Sequence, residues 1–241
     1  MKKFVATLVC GLIVCLLPGV AFADQSNTGS TDVPVGVRIT LPAGTSERAY
    51  RLTDNFVGSR VPLSGGAEVV ISPERTAGVL VLSWNIAPQS YSITQTDASG
   101  AVLSEETRTD GMLRGVVPLD AACKEILVSV SSDCALGDVA AYAAGAGGIA
   151  TRAFQPTPLQ ADLLIITAEP GMEFDELGAL IPVYAKERGM QVAVLYVSDY
   201  GKRERALEAL DGLSEAGYEV YPIFGGFTCD NYDSYHMASI G

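Results

Sequence analysis

Basic residues are scarce in this chain. Lys and Arg number 16 against 28 Asp and Glu, a formal net charge of −12 over 241 residues. So acidic a surface argues against nucleic acid and anionic membrane as partners, and leaves cationic or neutral ligands, glycans included. Histidine is nearly missing: there is one, His236, five residues from the end. As a metal ligand or base it competes with the simpler reading of a frayed tail. No internal repeat punctuates the sequence. The cysteines are five, and two of them, Cys10 and Cys15, lie in an N-terminal apolar run with no small residue just before either, which speaks against a lipoprotein anchor.

Hydrophobic residues make up 48%, enough for a core, and the length allows one large or two small domains. Residues 1–23 inflate that figure. Lys2 and Lys3 precede an apolar stretch from Phe4 to Leu17, and Ala21-Phe22-Ala23 is a small-x-small cleavage site. This is the pattern of a secretory signal peptide cleaved after Ala23. The apolar core is too short for a comfortable membrane span, so the expectation is a secreted or extracytoplasmic protein with no membrane span after cleavage. Removing two lysines and no acids takes the net charge from −12 to −14. Of the remaining thiols, Cys123 and Cys134 could close a hairpin or stay reduced. Cys229 is then the odd one, expected as a small, partly buried residue.

Asp24 to Asp32 is polar and aperiodic, and reads as a disordered leader. From residue 33 to 150 the chain is rich in β-branched residues. Runs at Val35–Leu41, Ala67–Ile71, Gly78–Trp84, Tyr91–Thr96, Leu113–Pro118, Ile126–Val130 and Val139–Ala144 are separated by turn residues. Short strands at this spacing predict a β-sandwich. Tyr91–Thr96 alternates, Asp97-Ala-Ser-Gly100 turns and Ala101-Val-Leu resumes, a hairpin. Ala143–Gly148 and Gln155–Pro158 mark a boundary, with a linker at 151–160.

From 161 to 241 the grammar changes to strand, helix, strand. Strands are expected at Leu163–Thr167, Gln191–Val197 and Tyr218–Phe224, with Gly225-Gly226 ending the last. Helices are expected at Glu176–Arg188, where Pro182 kinks the helix or marks its true first turn, and at Lys202–Ala216, where Leu207, Leu210 and Leu213 share a face and Gly217 is the stop. This is a partial parallel α/β sheet. In such sheets chemistry sits at the carboxyl ends of the strands, here the Thr167–Glu173 loop.

The stretch from Ala161 to about Ala238 resembles the PIG-L deacetylases, zinc-dependent N-acetylglucosamine deacetylases with a Rossmann-like fold. The residues that carry the likeness are Ala161–Ala168 (ADLLIITA), Gly178–Tyr184 (GALIPVY), Glu187-Arg-Gly189, Arg205–Leu213 (RALEALDGL), Gly217 and Tyr221–Phe227 (YPIFGGF). Order and spacing match secreted members that carry a β-sandwich ahead of the catalytic domain. Tyr50-Arg-Leu-Thr-Asp54 and Val81-Leu-Ser-Trp84 look like a discoidin-type, galactose-binding-like module. The fold implied is a galactose-binding-like β-sandwich followed by a partial Rossmann-like α/β domain.

The family motif after the first strand is A-H-P-D-D-E, in which the histidine and second aspartate bind zinc and the first aspartate is the general base. Here the hexapeptide is Ala168-Glu-Pro-Gly-Met-Glu173. Glu169 stands at the histidine, Gly171 at the base and Met172 at the second ligand. A hydrolytic zinc site needs about three N or O ligands and an open position. Met172 offers a soft thioether and Gly171 no base.

Each candidate has a plainer counterpart. Glu169 and Glu173 are metal ligands or solvated acids near a helix N-terminus. Asp199 meets a sugar hydroxyl or is a turn acid. Arg205 and Glu208 match a family position near the substrate pocket, or form a helical ion pair. Trp84 and Tyr91 stack on a sugar or, for Trp84 the preferred reading, fill the sandwich core. The expectation is a secreted, catalytically impaired or inactive deacetylase-like protein with residual glycan or cell-surface binding and no cofactor. One alternative is an active zinc enzyme that releases acetate from an N-acetyl sugar. Another is a decayed or truncated gene product.

Overall fold

The structure is a computed structural model and describes residues 32–54, 56, 58–170, 179–198 and 203–227. The signal-peptide and leader readings up to residue 31, the start of the Glu176 helix, Cys229 and His236 lie outside the described residues.

The first part is two antiparallel sheets. The strands in chain order are β1 (Pro34–Val35), β2 (Val37–Thr40), β3 (Val61–Leu63), β4 (Glu68–Pro73), β5 (Val79–Ile86), β6 (Tyr91–Thr96), β7 (Val102–Arg108), β8 (Arg114–Pro118), β9 (Glu125–Val130) and β10 (Cys134–Tyr142). One sheet runs β1-β10-β5-β8 with β3 also on β10, and the other runs β2-β4-β9-β6-β7. The core between them includes Leu80, Leu82, Trp84, Ile71, Ile93, Ile126 and Leu136, all at 0% exposure. Alternation sets this burial. Along β6, Tyr91, Ile93 and Gln95 point in, and Ser92, Thr94 and Thr96 point out. Gln95 is the polar exception, and its amide is satisfied: Nε2 donates to the Pro118 carbonyl and Oε1 accepts from the Asp120 N–H.

The β6–β7 hairpin forms where its alternation and turn residues place it. Asp97 Oδ1 accepts from the N–H groups of Ser99 and Ala101, and Gly100 supplies φ +81°. Two pieces were not legible. β3 is three residues held by pairing to Cys134–Leu136, and β7 is longer than its apolar part because its polar second half still pairs with β6. Cys123 and Cys134 are separate, buried thiols, so the hairpin disulfide does not form.

The second part is a three-stranded parallel sheet, β11 (Leu163–Thr167), β12 (Val192–Ser198) and β13 (Ile223–Phe227), in that order. Helix α1 (Arg203–Glu215) precedes β13, and its Ala206, Leu207, Leu210 and Leu213 are buried. Between β11 and β12 the described part of the first helix is a wide π turn, Pro182–Glu187, in which the Arg188 N–H reaches the Val183 carbonyl. Pro182 stands at its start and offers no N–H, so a regular ladder cannot pass through it. The third strand begins later than expected and passes through the glycines read as its end. A Cβ on Gly225 would collide with the Val197 carbonyl, so the strand requires glycine there. Tyr218 instead anchors the approach, its buried hydroxyl donating to the Val192 carbonyl at 2.7 Å.

The stretch 151–160, expected as a linker, is packed. Phe154 is buried, Gln155 bridges Val220 in parallel register, and the Thr157 hydroxyl donates to the Tyr221 carbonyl. The two parts also meet through side chains. Met112, from the β7–β8 connection, is buried in the α/β core. The Tyr221 hydroxyl accepts from the Leu113 N–H, Arg114 pairs with Asp211 at 2.6 Å, and Arg152 donates to the Ser214 carbonyl. Among the described residues no helix is long and apolar enough to cross a membrane.

Candidate functional site

The carboxyl end of β11 is a tight corner. Ser198, at the end of β12, donates both its N–H and its hydroxyl to the Ala168 carbonyl at 3.1 and 3.0 Å. The Thr167 hydroxyl donates to the Glu169 carbonyl at 3.1 Å. These bonds fix the peptide of Glu169, whose side chain then meets the first turn of α1. Arg205 Nη1 donates to Glu169 Oε2 at 2.6 Å. Two residues singled out in the sequence for different roles, one for metal and one for substrate, are therefore brought together as an ion pair. A carboxylate held by a guanidinium is a weaker candidate for a cation than a free one.

Glu208 lies one turn on, exposed to solvent. Gly171, Met172, Glu173 and Asp199 lie outside the described residues. Among the described residues, no group of three or more His, Cys, Asp or Glu side chains is placed to hold a metal ion.

The sugar-stacking option for Trp84 and Tyr91 is overturned. Trp84 is 0% exposed and Tyr91 2%. Their rings pack on each other, centroids 5.1 Å apart and planes 55° apart. Burial pushes the Tyr91 phenol up to about 12. Inward parity on β5 and β6 sends both rings into the sandwich.

The exposed aromatics are elsewhere. A 3-10 helix, Ser46–Leu52, carries the chain from β2 of one sheet toward β3 of the other. Leu52 is fully buried and pins it. Beside that anchor Tyr50 is 64% exposed, and Phe56 is 63% exposed. The Arg51 guanidinium lies 5.9 Å from the Tyr50 ring centroid. Asp54 organises the loop: Oδ2 accepts from the Ser59 hydroxyl at 2.6 Å and Oδ1 from the Phe56 N–H at 3.0 Å. Those bonds, Ser59 first, hold its carboxyl below the usual aspartate value. Two open rings, a cation and a carboxylate thus share one short loop. Tyr50-Arg-Leu-Thr-Asp54 served in the sequence only as a mark of fold. The signal that could have found its surface role is the isolated Leu52 between polar neighbours, an anchor that turns the flanking ring outward.

No family model matches this sequence, and no curated protein matches it. Solved structures with some likeness include CpGH89CBM32-6 of Clostridium perfringens, at 10% identity and TM-score 0.38 over 44% of this chain and 93% of that one. A lectin-domain mutant of lectinolysin complexed with Lewis b gives 12% identity and TM-score 0.36, covering 49% and 98%. Chitosan-binding module 1 of a Paenibacillus sp. IK-5 chitosanase/glucanase gives 15% identity and TM-score 0.35, covering 47% and 98%. Likenesses this distant carry no argument about function.

Proposed function

We propose that this is a secreted glycan-binding protein in which the sandwich binds through the Tyr50–Ser59 loop. The observation that carries this reading is the pair of exposed rings, Tyr50 and Phe56, on a loop that also presents Arg51 and Asp54. An aromatic face covers the apolar C–H face of a sugar ring, and charged groups at its rim take the hydroxyls. The acidic chain suits a neutral or cationic glycan.

The α/β part, in the same reading, is a Rossmann-like sheet of the PIG-L kind, catalytically impaired. Support comes from the parallel β11-β12-β13 order with α1 between the last two strands, and from the Glu169–Arg205 pair at the family's histidine position. No cofactor is needed for the binding role, and zinc belongs only to the alternative in which the deacetylase is active.

Glycan binding is tested by screening the chain on a glycan array and titrating the best ligand by calorimetry. Tyr50→Ala and Phe56→Ala should each weaken it about ten-fold, the scale of one lost ring contact. If both variants bind as tightly as the parent, the loop is not the site. Zinc content is measured in parallel for the natural chain and for a Glu169→His, Gly171→Asp, Met172→Asp variant. Stoichiometric, tightly held zinc in the natural chain would overturn the impaired reading.

A further inference from the structure

We draw no further inference here: the strongest candidate, the open apolar face of the parallel sheet at Leu164, Ile166 and Ile223, is an unpartnered surface, and nothing among the described residues shows what covers it.

Discussion

The two parts of this protein solve the same problem with unequal means. The sandwich closes its core between two antiparallel sheets, and the face it turns to water carries polar side chains such as Arg38, Thr40, Glu68 and Thr107. The parallel sheet packs Val194, Tyr196, Leu210 and Leu213 on its covered side, yet leaves Leu164 at 48%, Ile166 at 56% and Ile223 at 41% exposure. Register puts Ile166, Leu195 and Ile223 in one row across β11, β12 and β13. An antiparallel sheet tolerates water on one face, whereas a parallel one ordinarily has both covered. The contrast implies that the sandwich sustains itself and the α/β part leans on it through Met112, Tyr221 and the Arg114–Asp211 pair.

The strongest test of that dependence is Trp84→Ala. Emptying this site should cost about 3–5 kcal/mol, read from urea unfolding. The helical signal at 222 nm should be lost in the same transition as the sheet signal. Separate transitions would break the idea that the α/β part depends on the sandwich.

Next in size is the chemistry of the sandwich thiols. Burial pushes the Cys134 thiol up to about 11 and raises Cys123 as well. The thiolate is the reactive form, so in a Cys229→Ser background native Cys134 should react with Ellman's reagent roughly a hundred-fold slower than a free cysteine at pH 8. The rate should climb as pH rises toward 11. Fast labelling would show that the sandwich core opens easily.

At the junction, Tyr221→Phe removes the acceptor for the Leu113 N–H. The expected loss is about 1 kcal/mol, with faster amide exchange in β13 than in β6. Equal exchange changes in both strands would mean that the two parts share their stability evenly. Smallest is Leu164→Lys with Ile166→Lys on the open face. Because these side chains are already exposed, stability should move by less than about 0.5 kcal/mol, while dye binding to apolar surface falls and solubility rises. A large destabilisation would mean that this face is covered in solution.

Much of the fold was legible from local pattern. The alternation of Tyr91–Thr96 and the Asp97–Gly100 turn specify their hairpin with no outside help. The Leu207, Leu210 and Leu213 spacing specifies α1. Less was legible where the partner decides. β3 has only three residues and exists because β10 offers an edge. Gly225 looked like a stop, and it is a passage through a gap beside the Val197 carbonyl. Trp84 and Tyr91 could be sorted from Tyr50 and Phe56 only by knowing which strand face, or which loop, each ring occupies.

The sequence by itself determined most of the sandwich strands, the change to α/β grammar after residue 160 and the acidic balance of the chain, because each rests on local pattern or on composition. Only the tertiary structure decided that Glu169 meets Arg205, that Arg114 reaches Asp211, and that Asp138, Ser83 and Arg114 line up across three strands. Those pairings span up to 97 positions in the chain. The cross-strand row follows from strand register and one extra residue at Gly137, and the two ion pairs follow from where α1 packs, none of which composition and periodicity encode.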